Sequence, residues 1–235
     1  MATVTFNGYT ITDDFIVGNL VKGYAQRNTK TIDVSGRDGA IIGSTLLSPI
    51  DIKMTLTHIS ADPAERFGAF AKLAGKLNVS KPAALHISEY PSVHYMAVPN
   101  GGELTRYVGA ESFELTFTAL DPVMYGDMPI GWVGTSIDVG GHYPTNPTIT
   151  ITSAVASDGV FGLSVNGGTF DIPIDDALSH TLVIKSGSRT VTVDGSNVLP
   201  TLASDWPVLN PGSNTISVTS GSGSVSGQFV ERWLR

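Results

Sequence analysis

Alternation of apolar and polar residues dominates this chain and predicts β-strands. Residues 50–57 alternate between aliphatic and polar side chains, and residues 112–119 alternate between polar and aromatic or aliphatic ones. This period of two is typical of strands with one face on a core and one face in water. Residues 93–97 and 104–108 flank Pro99-Asn100-Gly101-Gly102. The Asn-Gly step predicts a hairpin turn between these two runs.

One segment has a helical period instead. Asp62 is a good N-cap, Pro63 suits the first helical position, and Glu65 stands three residues after the cap. Apolar residues then recur at helical spacing and form a stripe that comprises Phe67, Phe70, Ala71, Ala74 and Leu77. The sequence therefore predicts a helix near 62–77 that packs its phenylalanines against a sheet.

The composition changes after Asp127. Residues 131–146 are rich in glycine and proline and are predicted to form a linker. Beyond them, short alternating segments are separated by turn residues, and the glycines at 221, 223 and 227 are interpreted as a hairpin tip. The prediction is a mainly β protein with two β-rich domains. Residues 1–130 are predicted to form an N-terminal β-sandwich domain with one α-helix, and residues 147–235 an antiparallel β-sandwich.

Composition narrows the possible functions. The 235 residues include no cysteine, which removes disulfides and thiolate chemistry, and the net charge of −7 argues against nucleic-acid binding. No apolar run approaches the roughly 20 residues that a membrane-spanning helix needs. The N-terminus lacks the basic region of a secretory signal. We therefore expect a soluble protein, made in the cytoplasm, without membrane insertion.

The candidate chemical groups do not combine into a reactive site. Asp13-Asp14 and Asp175-Asp176 are adjacent pairs, and neighbouring residues on a strand point to opposite faces. Trp206 suits either a sugar-stacking platform or a core plug, and we favour the core. No metal-ligand spacing occurs among the five histidines, which are His58, His86, His94, His142 and His180. The sequence predicts no catalytic, cofactor-binding or metal-binding residue, and hence no enzyme.

Several short strings, taken in order, resemble a known family. In the first half these strings are Arg37-Asp38-Gly39, Tyr95-Met96-Ala97-Val98, residues 113–122 and Tyr125-Gly126. Their order and spacing resemble those in the distal tail protein family of long-tailed, non-contractile bacteriophages. In the second half, Asn146-Pro147-Thr148-Ile149 and the loop at 206–216 resemble that family's C-terminal domain.

This resemblance implies a structural role in the virion tail tip, assembled in the host cytoplasm. It implies a ring of six copies, formed through a belt-like N-terminal domain (residues 1–130). The ring would dock on the tail tube protein and carry a tail-tip or tail-associated fibre protein. DNA would pass through the lumen without specific binding. Galectin-like C-terminal sandwiches would attach receptor-binding proteins, and no cofactor is implied. The alternatives are a carbohydrate- or fibre-binding sandwich module, or another tail-tube or baseplate component.

Overall fold

The computed structural model describes residues 2–36, 38–107, 110–176 and 178–234. The chain divides into two compact units, Met1–Tyr125 with Leu234–Arg235, and Gly126–Trp233. Both are built mainly from antiparallel strands, and α1 (Pro63–Leu77) is the one α-helix within the described residues. The predicted fold class, mainly β with one helix, is confirmed.

The first unit contains one long sheet and a separate two-stranded hairpin. Its strands are β1 (Val4–Phe6), β2 (Tyr9–Thr10), β3 (Ile16–Lys22), β4 (Arg27–Asp33), β5 (Ala40–Leu47), β6 (Ile50–Ile59), β7 (Ala83–Ile87), β8 (Val93–Tyr107), β9 (Ala110–Ala119) and β10 (Met124–Gly126). The long sheet has the order β2-β1-β7-β8-β9-β6-β3, and β4 pairs with β5. A 3₁₀ turn, Ile11–Asp13, lies between β2 and β3.

The predicted alternation is confirmed in β6 and β9, two neighbouring strands of this sheet. In β6 the residues Ile50, Ile52, Met54 and Leu56 are buried, and β9 buries its Leu115, Phe117 and Ala119. Their neighbours along each strand are more exposed. The ring of Phe117 lies 4.7 Å from that of Phe6 on β1, measured between centroids. Aromatic packing of this kind joins the strands into one core.

The hairpin predicted at Pro99-Asn100-Gly101-Gly102 is wrong. Strand β8 continues through these residues and pairs with β9 on both sides of a bulge between Pro99 and Gly102. Gly101 has φ +76°, and a Cβ on Gly102 would lie 2.2 Å from the Glu114 carbonyl oxygen. The glycines are therefore needed for a bulge with close backbone approach, which has the same local signature as a turn. Val108, which the prediction included in the second strand, lies outside the described residues.

Helix α1 starts as predicted, but its buried face matches only part of the predicted stripe. Phe70 packs on the ring of Phe113 in β9, as predicted, whereas Phe67 does not. The Asp62 side chain accepts a hydrogen bond from the Ala64 N–H at 2.8 Å, which caps the first turn. Leu73 is the buried residue, whereas Phe67 is 76% exposed. The prediction that Phe67 packs against the sheet is thus wrong. Because apolar residues occur on two sides of the helix, the periodicity did not show which side is buried.

The second unit is an antiparallel β-sandwich. Its strands are β11 (Ile130–Val133), β12 (Ser136–Val139), β13 (Thr148–Val155), β14 (Val160–Val165), β15 (Gly168–Pro173), β16 (His180–Lys185), β17 (Thr190–Val193), β18 (Ser196–Val198), β19 (Gly212–Ser220), β20 (Ser222–Phe229) and β21 (Arg232–Trp233). One sheet has the order β11-β20-β13-β16-β17-β18, and the other has the order β12-β19-β14-β15. Residues of both sheets share one hydrophobic cluster.

Two predictions about this unit need correction. The predicted linker 131–146 holds most of β11 and all of β12, whose Ile137 and Val139 are buried in the sandwich core. The glycines at 221, 223 and 227 do not form a hairpin tip, because β19 and β20 lie in different sheets. Gly221, with φ +88°, stands where the chain crosses between the sheets. Turn residues alone do not distinguish a hairpin from such a crossover.

Candidate assembly surfaces

The β4–β5 hairpin is an exposed arm. Its two strands form a sheet of their own, and every residue from Arg27 to Leu46 that the structure describes on them is exposed. A two-stranded hairpin is only marginally stable alone in water. At its tip, Gly39 has φ +81°, a conformation that disfavours other residues. Arg37, in the same string, lies outside the described residues.

The two faces of this hairpin expose different numbers of large aliphatic side chains. The pairs Asn28↔Leu46, Lys30↔Ser44 and Ile32↔Ile41 lie on one face, because directly opposite residues share a side of the sheet. On that face Ile32, Ile41 and Leu46 are 56%, 40% and 65% exposed, and we call these three residues the hairpin apolar face. Ile42 pairs with Thr31 on the opposite face, which also carries Ala40, the half-buried Leu47, two further threonines, Arg27 and Asp33. The polar pair Lys30↔Ser44 separates Leu46 from Ile32 and Ile41. Three large aliphatic side chains exposed on one face of a hairpin are still typical of a surface that a partner covers.

A second exposed apolar surface lies beside α1. We call it the helix groove, and it has a volume of about 680 Å³. Its apolar lining comprises Phe67, Phe70, Ala71, Ala74, Leu77 and Phe113. Arg66 and Glu111 also line it, with the Arg66 Nε 3.7 Å from the Glu111 Oε1. The Phe70 ring packs edge-on against Phe15 and Phe113, at centroid distances of 5.1 and 6.3 Å. These contacts hold the base of the groove, while Phe67 projects from its side.

Two of the histidines lie close together, although the spacing of histidines along the sequence predicts no such pair. The register Leu85↔Tyr95 places the next residues, His86 and His94, opposite each other on β7 and β8. Their ring centroids are 5.0 Å apart. His58 lies on β6, where its Nδ1 is 2.7 Å from the carbonyl oxygen of Asp14. Antiparallel pairing brings distant residues together in a way that local spacing does not reveal.

One member of each adjacent acidic pair has a structural partner: Asp14 in the first unit and Asp176 in the second. Asp14 accepts hydrogen bonds from the Lys72 ammonium, at 2.6 Å, and from the Tyr9 hydroxyl. These bonds lower the pKa of Asp14, with the Lys72 bond as the larger cause. Burial, followed by the bond to Asp14, raises the pKa of Tyr9. Asp14 thereby ties α1 to the segment after β2.

In the second unit, His180 is held between two carboxylates. Its Nδ1 is 2.7 Å from Asp194 Oδ2, and its Nε2 is 2.6 Å from Asp176 Oδ1. Both ring nitrogens donate when the imidazole is protonated, so these bonds raise the pKa of His180. The pKa of Asp194 is lowered by the Thr181 N–H and then by His180, and that of Asp176 by His180 first. The cluster joins the segment before β16 to the turn after β17.

Trp206 belongs to the sandwich core, as we favoured from the sequence. Its ring lies 5.1 Å from that of Phe170, and the side chain is partly buried against the core cluster. The loop around it is fixed by backbone hydrogen bonds. The Asp205 N–H donates to the Thr169 carbonyl at 2.8 Å, and the Leu209 N–H donates to the Thr145 carbonyl at 2.9 Å. Packing accounts for this tryptophan without a ligand.

Two family models match the chain, one for each unit. Residues 6–119 match the phage tail protein RIFT-related domain, and residues 140–233 match the C-terminal domain of the siphovirus-type tail component. Both families consist of structural tail proteins rather than enzymes, in agreement with the prediction that the chain is not an enzyme. No curated protein sequence matches the chain. Within the described residues, no helix is long and apolar enough to cross a membrane.

A solved structure shows the same fold over the whole chain. The chain is 17% identical to the SPP1 Dit (gp 19.1) protein, described as a paradigm of the hub adsorption apparatus in phages that infect Gram-positive bacteria. That alignment covers 100% of both chains with a TM-score of 0.80. A chain from the phage P2 baseplate in its activated conformation with Ca is 9% identical over 97% of both chains, with a TM-score of 0.46. The first likeness establishes the fold over the whole length.

Proposed function

We propose that this chain forms a closed ring of six copies. The chain belongs to the siphovirus-type tail components and is a distal tail protein of siphophages. Its role in the tail is structural. The ring would sit at the end of the tail tube and join the tube to the tail-tip or receptor-binding apparatus. This joining role and the number of copies are the parts that we add.

The observation that carries the proposal is the exposed β4–β5 hairpin. A hairpin of this length does not gain enough from its own pairing to hold apolar residues in water. Its apolar face, Ile32, Ile41 and Leu46, therefore favours a partner. Repeated head-to-tail contacts between identical copies close into a ring when the rotation between neighbours divides a full turn. The outer strands of the long sheet, β2 and β3, offer further edges for pairing.

The second unit supplies the surfaces for unlike partners in this proposal. It has its own hydrophobic core and so does not depend on the ring for folding. We infer that the tail tube protein and the tail-tip or tail-associated fibre protein bind the ring, and that receptor-binding proteins bind the sandwich. The assembled virion tail tip is the corresponding location, after assembly in the host cytoplasm.

DNA passage through the ring lumen is consistent with the charge of the chain. The net charge is −7, and a negative wall repels phosphate, which lets DNA slide without sticking. Replacement of lumen-facing acidic residues by lysine should slow DNA ejection from the virion. Unchanged ejection kinetics would argue against this part of the proposal.

Native mass spectrometry of the purified full-length protein tests the stoichiometry. We expect a six-copy species that grows with concentration, together with the monomer. A dominant symmetric dimer would instead indicate a self-complementary contact and contradict the head-to-tail ring. A glycan array separates the alternative of a carbohydrate-binding module, and the packing of Trp206 against Phe170 does not favour that alternative. Another tail-tube or baseplate component would show a different copy number in the virion.

A further inference from the structure

We propose that the hairpin apolar face of one copy docks in the helix groove of the next copy. The occupant is thus a second copy of this chain, and the docked element is its β4–β5 hairpin. This inference rests on the proposed ring and specifies the contact that closes it. It assigns a partner to two surfaces that are otherwise unexplained in the first unit.

A head-to-tail ring needs two different and complementary surfaces on each copy. The first unit presents such a pair, because the hairpin is a protruding apolar surface and the helix groove is a recessed one. Their lengths also agree. With 15 residues, α1 is about 22 Å long. The 7 and 8 residues of β4 and β5 extend for about 23–26 Å.

The two surfaces lie towards opposite ends of one strand, β6. The hairpin joins the sheet at the start of β6, where the Gly23 N–H donates to the Asp51 carbonyl at 2.8 Å. The helix groove lies towards the other end, because its Phe113 pairs with Leu56 and its Glu111 pairs with His58. Five residues of strand separate Asp51 from Leu56 and seven separate it from His58, which is about 17–23 Å.

The base of the hairpin is held at the start of β6, away from the groove of its own copy. Short connections link it to β3 and β6, and the Ser48 N–H donates to the Gln26 carbonyl at 2.9 Å across that base. A copy can therefore offer its hairpin to a neighbour while it accepts a different neighbour's hairpin in the groove. This is the arrangement that propagates around a ring.

The size of the contact explains why it should appear only in a closed assembly. One face of two strands is about 25 Å long and 10 Å wide, or about 250 Å². A stable two-body interface buries about 800 Å² on each partner. A single docked hairpin is too small to hold a dimer, whereas closure gives every copy two such contacts. Intermediate dimers should not accumulate.

The absence of cysteine from the chain allows a direct cross-linking test. The double variant Leu46→Cys/Phe67→Cys of the full-length protein is treated with a short bismaleimide linker under assembly conditions. The matched control is Ile42→Cys/Phe67→Cys, since Ile42 is 66% exposed but on the opposite hairpin face. Each single-cysteine variant is a second control. Circular dichroism verifies that all variants are folded.

We expect that only the Leu46→Cys/Phe67→Cys variant gives a ladder of covalently linked copies on a denaturing gel, and that the largest species is the closed ring. Rings seen by electron microscopy without this ladder would overturn the docking inference and leave the ring proposal intact. An equally strong ladder from the Ile42/Phe67 control would also overturn it, because the wrong face would then reach the groove. A protein that stays monomeric at every concentration tested would overturn both proposals.

Discussion

Replacing Leu46 with serine should weaken assembly of the ring without weakening the fold of the monomer. Leu46 is 65% exposed in the single chain. Full burial of a leucine side chain stabilises by about 1.5–3 kcal/mol, so burial of the exposed part at an interface is worth about 1–2 kcal/mol. That is about 5- to 30-fold in the binding constant of each contact. The loss recurs at every contact, and the ring assembles cooperatively.

Sedimentation velocity over a dilution series measures the effect. The concentration at which half of the protein is assembled should rise at least several-fold in Leu46→Ser, while urea unfolding of the monomer changes by less than about 0.5 kcal/mol. Ile42→Ser is the matched control, because it removes an equally exposed side chain from the opposite face. Assembly of Leu46→Ser like the wild type, or an equal defect in Ile42→Ser, would refute the reasoning.

Three further predictions concern the two units separately. Gly102→Ala should destabilise the first unit by about 1–3 kcal/mol in urea unfolding, because the added Cβ would lie 2.2 Å from the Glu114 carbonyl oxygen on the neighbouring strand. The control is Gly68→Ala on the open side of α1, which should stabilise by up to about 1 kcal/mol. His180→Gln should lower thermal stability most below the unfolded histidine pKa of 6.5, and the difference from the wild type should shrink as pH rises through the raised folded pKa; a constant difference would contradict the carboxylate clamp. Trp206→Ala should lower the melting temperature without changing a glycan-array profile, whereas lost glycan signals in a folded variant would support the sugar-binding alternative.

Elements with a single local determinant were predictable from the sequence. Strands β6 and β9 alternate strictly because one face is buried, and the Asp62 cap with Pro63 marked the start of α1. The hairpin between β14 and β15 at Asn166-Gly167 also follows from local turn chemistry. In these cases the physical cause lies within a few residues of the effect.

Features that depend on distant partners were not predictable. Pro99 to Gly102 carry turn residues, yet pairing with β9 on both sides makes them a bulge. The strands β11 and β12 lie in a glycine-rich stretch, and the burial of Ile137 and Val139 on β12 arises from packing in the sandwich core. Phe67 follows the helical period but is left exposed, since α1 buries Leu73 instead. The candidate surfaces are therefore visible only in three dimensions.

Cryo-electron microscopy of the tail tip of a virion that carries this chain tests the central claim most directly. We predict six copies around the tail axis, with each β4–β5 hairpin in contact with the first unit of the adjacent copy. A single copy on the axis, or copies whose first units do not touch one another, would contradict the account.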